Sequence, residues 1–328
     1  MAKRRTEETE EQGEYLLFPF RRLSPAPFPD MQTAWQQHNL TAINHRLAAL
    51  KRLPTGLIFE RKSQYNHIVV RKTSDQLLLC YRHDRHRTEE VESRLDPENP
   101  LALLSDYTQA MLLALAWQPQ PQRVLLLGLG GGRLQMVLHH YLEQVQLYTV
   151  ELDPEVVDVA QRFFAWQTDE RQHLVIKDGR DYLRGFPTEA PYDIILLDAF
   201  QVSGIPVHLC TREFFAECRA NLAPDGIVAT NLHASTAIYD SLRKTFAMSF
   251  RSTTAFRLVG GNVVVVGSES ERLGLPEIRE RIAAVQTRCG FDFGLAELAR
   301  RESSGAPYRQ SAPILRDAYT AMGEMPSR

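Results

Sequence analysis

The chain has 328 residues, enough for one large domain or two of moderate size. Hydrophobic residues make up 44% and charged residues 24%, and the formal net charge is -2, an ordinary globular balance with no global signal for nucleic acid or a membrane surface. No apolar run is long enough to span a bilayer, the amino-terminal MAKRRTEETEEQGEY lacks the apolar stretch of a secretory signal, and Cys80, Cys210, Cys218 and Cys289 form no CxxC pair; the expectation is a cytoplasmic protein without disulfides or bound metal.

In chain order, residues 1–14 are charged and aperiodic and read as disordered. Leu16–Pro29, with four prolines, reads as an extended arm. Gln32–Leu53 reads as a helix with Leu40, Ile43, Leu47 and Leu50 at helical spacing, ended by Pro54-Thr-Gly56. Leu57–Glu60, His67–Arg71 and Leu77–Tyr81 are short strands between polar turns, which predicts a small antiparallel meander. Arg82–Asn99 reads as a charged linker, its RHDRHR cluster balanced by Asp84, Glu89, Glu90 and Glu92, and Leu101–Trp117 as a helix. From Arg123 strand and helix alternate. Strands are expected at Val124–Leu127, Leu147–Val150, Leu174–Ile176, Ile194–Leu197 and Ile227–Thr230, then at Thr254–Val259 and Asn262–Val266 about a Gly260-Gly261-Asn262 turn. Helices are expected from Arg133, over Pro154–Phe164, from a Thr211 cap to Leu222, over Tyr239–Ser249, Pro276–Cys289 and Leu295–Arg301; the tail from Ser303 reads as loose. The implied segments are an extension (1–53), a small β-domain (54–100), an α/β catalytic domain (101–302) and a tail (303–328).

The chemistry concentrates where strands end. Gly128-Leu-Gly130-Gly131-Gly132 joins the first α/β strand to its helix, a place where a backbone without side chains approaches a ligand. A lone glycine loop is weak evidence. Here Glu151 follows the second strand, where a carboxylate accepts ribose hydroxyls; Asp178 and Gly179 follow the third, and Asp198 ends the fourth. Acids after strands also cap helices, a role assigned to Asp153 above ligand binding and to Asp178 below it. Asp193, at the start of its strand, reads as structural. A nicotinamide dehydrogenase is the competing reading, and the final antiparallel hairpin favours a class I methyltransferase-like (Rossmann-like) α/β fold, a mostly parallel sheet preceded by the small antiparallel β-domain.

VLLLGLGGG, YTVELDPEVVDVAQ, VIKDGRDYL, YDIILLDAF and LCTREFFAECRANLAPDGIVATNL together resemble the spermidine synthase (polyamine aminopropyltransferase) family, with similarity over roughly Leu57 to Gly267. The resemblance implies an enzyme, usually a dimer, that moves an aminopropyl group from decarboxylated S-adenosylmethionine to a small-molecule amine acceptor. It implies Asp198 as general base, Glu151 and Asp178 as ribose and adenine ligands, and Asn66 in place of a cofactor-binding glutamine. The glycine loop, with Gly128, Gly130, Gly131 and Gly132, and Gly179 would complete the donor site. Tyr107 and Gln201 would face the acceptor. The departures are chemical. Where the family has GGGDGG, Gly131 replaces the aspartate and Arg133 follows; where it has DSxDP, Gln201 replaces the second acid; and of DEFxYxE only Tyr107 persists. A flexible dication would therefore find fewer carboxylates. Loss of the loop acid admits ordinary S-adenosylmethionine, with Arg133 either pairing its carboxylate or lying on a solvent face. Phe200 reads as a lid residue, and His208 and His233 as minor base candidates. A methyltransferase and a non-catalytic cofactor-binding protein remain the alternatives. No metal, nucleic acid or membrane partner is expected.

Overall fold

Two sheets carry the fold. The computed structural model describes residues 33–83, 88–185, 190–199, 205–300 and 307–318; the charged segment 1–14 and the arm Leu16–Pro29 lie outside them. Helix α1 (Ala34–Lys51) starts at Thr33, whose side chain accepts from the Gln36 amide while Gln36 returns a bond to the Thr33 amide. Its Ile43, Leu47 and Leu50 are buried, as their spacing requires.

Strands β1 (Gly56–Lys62), β2 (His67–Lys72), β3 (Leu77–Arg82) and β4 (Glu89–Leu95) form an antiparallel sheet in chain order. Strand β4 corrects the reading of Arg82–Asn99 as a linker. Its first charge is matched across the sheet: Glu89 accepts from Arg71 at 2.5 and 2.9 Å and from Arg82 at 2.8 Å. Cross-strand ion pairs hold this strand in place of an apolar face. A second correction concerns Leu101–Trp117. Helix α2 (Asp106–Met111) runs into a 3-10 segment, Leu112–Ala116, in which every residue is buried. A segment enclosed on all sides has no solvent stripe, and it follows the space its neighbours leave.

Strand β5 (Arg123–Leu127) leads through the glycine loop to α3 (Arg133–Tyr141), and β6 (Gln146–Glu151) to α4 (Pro154–Phe163). Strand β7 (Gln172–Ile176) precedes α5 (Gly179–Gly185), β8 (Tyr192–Leu197) precedes α6 (Arg212–Ala220), and β9 (Leu222–His233) precedes α7 (Tyr239–Ala247). Strands β10 (Ser252–Arg257) and β11 (Asn262–Ser268) close the sheet, and α8 (Leu275–Cys289) and α9 (Leu295–Ala299) follow. The strand order is β10-β11-β9-β8-β5-β6-β7, parallel except for β11, which runs antiparallel to both β9 and β10. This is a class I methyltransferase-like α/β sheet. Strand β5 pairs with β6 on one side and β8 on the other, so the order reverses there and opens a crevice at the carboxyl ends of the strands.

One core packs a sheet face against the 3-10 segment, α3, α8 and α9; the other packs the opposite face against α5, α6 and α7. A third joins α1 and the small sheet to α4 and to Phe164 and Trp166. Pro224-Asp-Gly226 lies within β9, as a bulge between the Tyr192–Leu222 and Ile194–Ile227 pairs, with Asp225 at φ 62°. The tail is also corrected for residues 307–318. Leu315 is buried, Lys244 Nζ donates to the carbonyls of Gln310 and Ala312 at 2.5 and 2.8 Å, and Asp317 pairs with Arg180 at 2.7 Å. No helix among the described residues is long and apolar enough to cross a membrane.

Candidate active site

The small sheet covers the carboxyl ends of the parallel strands, and a cleft open to solvent lies between them. Asn66, Tyr81, Glu92, Ser93 and Tyr107 line one wall, and Gly128, Gly130, Glu151, Asp153, Asp178, Gly179, Asp198 and His208 the other. Gly128 has φ 103°, and a side chain on it would run into the Asp198 backbone. Only glycine lets the β5 and β8 ends approach this closely.

Glu151 is buried, and desolvation raises its pKa against the pull of backbone amides. Its two oxygens accept from the Leu129 and Asp153 amides, each at 2.9 Å. The carboxylate thus braces the glycine loop and keeps one lone pair on each oxygen for a ligand. Asp153 caps α4 by accepting from the Glu155 amide at 3.0 Å, and also receives Ser63 Oγ at 2.5 Å and Asn66 Nδ2 at 3.2 Å. This leaves the Asn66 side-chain oxygen buried without a partner in a residue only 7% exposed. A buried amide oxygen left unsatisfied is costly, and a ligand donor in the cleft relieves it.

Asp178 accepts from the Arg180 and Asp181 amides at 2.9 and 3.0 Å, so it does cap α5, contrary to the weighting of the sequence reading. Its second oxygen meets His208 Nε2 at 2.8 Å, and that bond is the main cause of its lowered pKa. His208 is thereby a partner of Asp178 on the cleft wall. His233 does not reach the cleft: its ring bonds Ser235 Oγ at 2.6 Å and the Gly260 carbonyl at 3.1 Å. Asp193 accepts from the Gln122 and Arg123 amides at the far end of the sheet, a structural place.

Two glycines and an arginine are placed differently from the sequence reading. Gly131 and Gly132 do not line the cleft. A Cβ on Gly131 would lie 2.8 Å from Phe164 and 2.9 Å from the Ser93 Cβ, and one on Gly132 would lie 2.6 Å from the Trp166 ring. These glycines make room for aromatic packing, and the Gly131 amide donates to Ser93 Oγ at 2.9 Å. Arg133 is neither on a solvent face nor in the cleft. It is 5% exposed, and its guanidinium donates to the carbonyls of Pro100 and Ala102. Desolvation lowers its pKa to about 10, so it keeps its charge. Phe200 and Gln201 lie outside the described residues.

Asp198 closes the site at the end of β8. Burial raises its pKa to about 6, against bonds from Asn231 and Tyr107 that pull it down. Asn231 Nδ2 donates to Asp198 at 3.3 Å, and Asn262 Nδ2 in turn donates to the Asn231 oxygen at 3.0 Å, so β11 helps orient this carboxylate. The Tyr107 hydroxyl lies between Asp198 and the Glu92 backbone carbonyl, 3.4 Å from the latter. The sequence reading counts Glu92 among the balancing charges of a linker and gives it no place in the site. Burial, then Asp198 and Glu90, raise its carboxyl pKa to about 7, and no donor among the described residues bonds it. Five acids, Glu92, Glu151, Asp153, Asp178 and Asp198, thus line one cleft, with Lys177 and His208 the basic side chains among its described residues. No group of His, Cys, Asp and Glu among the described residues is arranged to hold a metal ion.

The acid-lined cleft lies at the switch point of a methyltransferase-like sheet, where open α/β folds bind their ligands. Residues 107–256 match the family model described as the Spermine/spermidine synthase domain. The polyamine aminopropyltransferase of Vibrio vulnificus is 30% identical over 213 residues, 64% of this chain and 71% of that protein. Among solved structures, human Methyltransferase-like protein 13 in complex with SAH is 25% identical, covers 58% of this chain and 95% of its own, and has a TM-score of 0.53. A probable spermidine synthase from Corynebacterium glutamicum has a TM-score of 0.60 at 19% identity, over 81% of this chain and 97% of that one. The chain belongs to the spermidine synthase (polyamine aminopropyltransferase) family.

Proposed function

We propose that the protein transfers an aminopropyl group from decarboxylated S-adenosylmethionine to an amine, with Asp198 as the base. The observation that carries this reading is the charge of the cleft. Five carboxylates suit a cationic sulfonium donor and an ammonium acceptor, and they repel a donor that bears its own carboxylate. Arg133, for which pairing such a carboxylate was one of two readings of the sequence, is turned to the Pro100 and Ala102 carbonyls.

Asn66, Glu151, Asp178 and the Gly128–Gly130 backbone would hold the adenosyl part. The acceptor loses a proton as its nitrogen attacks the methylene carbon beside sulfur. The N–C bond forms, the C–S bond breaks with its electron pair on sulfur, methylthioadenosine leaves, and the proton passes to Asp198. A carboxylate with a pKa of about 6 remains largely ionised at neutral pH and is a stronger base than an ordinary aspartate. Tyr107 and Asn231 fix its orientation.

Methyl transfer from S-adenosylmethionine is the second reading. It is supported by Gly131, which leaves no acid in the loop to reject the carboxylated donor, and by the methyltransferase relative. Calorimetric titration with the two donors side by side, followed by chromatography of the nucleoside product, separates the two. Tighter binding of the decarboxylated donor with release of methylthioadenosine is expected. Tighter binding of S-adenosylmethionine with release of S-adenosylhomocysteine would replace the first reading by the second.

A further inference from the structure

Of the five acids in the cleft, four already hold hydrogen-bond donors of the protein. Glu151 holds two backbone amides; Asp153 holds an amide, Ser63 and Asn66; Asp178 holds two amides and His208; Asp198 holds Asn231 and Tyr107. Glu92 holds none among the described residues, and the charged groups that influence it are other acids, Asp198 and Glu90. A carboxylate set into a cleft wall beside a second carboxylate, with no cation to answer it, is unfavourable unless a cation arrives. The unpaired, buried Asn66 oxygen in the same cleft is an independent sign that a ligand completes the site.

Among the described residues the opposite end of an acceptor finds no equally vacant carboxylate, because each remaining acid of the cleft already holds donors of the protein. We propose that Glu92 together with Asp198 binds the reacting ammonium of the acceptor, and that this nitrogen is the one charge of the acceptor that the cleft recognises. The substrate class is then a primary amine whose remainder is uncharged or extends out of the cleft, in place of a diamine held at both ends. The inference rests on the transfer reading given above. In it Glu92 collects the ammonium, and Asp198 takes the proton once the nitrogen is in place.

The test uses the full chain with S-adenosylmethionine and decarboxylated S-adenosylmethionine supplied separately, and butylamine and 1,4-diaminobutane as acceptors. Released nucleoside is the readout. With the productive donor, kcat/KM for the two amines is expected to agree within about threefold, because a second ammonium has nothing to pair with. Glu92→Gln is expected to raise the amine KM about tenfold or more while kcat changes little, as loss of one partner of a desolvated charge pair requires. Glu92→Asp should recover part of the loss. Unchanged donor affinity of the variants by calorimetry establishes that they are folded. A diamine preference of about a hundredfold, or an amine KM indifferent to Glu92→Gln, overturns the proposal and leaves the transfer reading standing. No consumption of either amine with either donor by the unaltered protein overturns both.

Discussion

A residue held ready for a cation should cost the empty protein stability, and Glu92 allows that cost to be measured. In the folded chain its pKa is raised from 4.5 to about 7. Between those values the native state retains a proton that the unfolded chain has released. Stability therefore falls as pH rises through this window, and the full penalty is present above about pH 7. At about 1.4 kcal/mol per pH unit the displacement sets an upper bound of about 3 kcal/mol, and solvent access through the open cleft reduces this to about 1–2 kcal/mol. Glu92→Gln keeps the shape and removes the charge. Urea unfolding of the ligand-free protein at pH 8 should show the variant more stable by that amount, with the difference shrinking toward zero near pH 4.5. A variant less stable at pH 8, or a difference that ignores pH, would mean that Glu92 has a protein partner, and the argument for a vacant cation site would fail.

Other consequences follow from the same geometry. Asp198→Asn should lower kcat by about 10²–10⁴ and leave donor affinity by calorimetry nearly unchanged, since the group takes a proton only during transfer. In the unaltered protein, kcat/KM for the amine should climb as pH rises through about 6, where the base ionises, and the acidic limb of a rate profile reports it. Gly131→Asp, which restores the family's loop acid, should destabilise the fold by about 1–3 kcal/mol in a denaturant titration, because its Cβ would meet Phe164 and Ser93. Arg180→Met should cost about 2–4 kcal/mol and expose residues 307–318 to limited proteolysis, since that buried guanidinium joins Glu217, Asp317 and the His208 carbonyl.

The parallel sheet was readable because its strands are continuous apolar runs: Val124–Leu127 and Ile194–Leu197 are covered on both faces, and the helices between strands carry start signals, the Thr211 cap and Pro154 in a first turn. Strand β4 escaped because Glu-Glu-Val-Glu-Ser-Arg-Leu shows no alternation of apolar and polar residues; it is held by partners on β2 and β3 that composition does not reveal. The 3-10 segment escaped for the opposite reason. A run buried all round has no period from which to tell its type. The tail from Ser303 is polar, and the docking of its residues 307–318 depends on Arg180 and Lys244, distant charges that local hydropathy does not weigh.

The site divides along the same line. Residues at the carboxyl ends of strands, Glu151, Asp178 and Asp198, were found because the topology alone brings them to one edge. Their neighbours across the cleft were harder to find, since the small sheet arrives from elsewhere in the chain. Asn231 did carry a signal, a polar residue directly after the apolar run Ile227–Thr230. The glycines show why residue type underdetermines role. Gly128 and Gly130 open the cleft, whereas Gly131 and Gly132 yield space to Phe164 and Trp166, and all four look alike in sequence. Glu92 is the sharpest case. Its character comes from facing Asp198 across the cleft without a donor, a relation that spacing cannot encode and that appears only when β4 is laid over the end of β8.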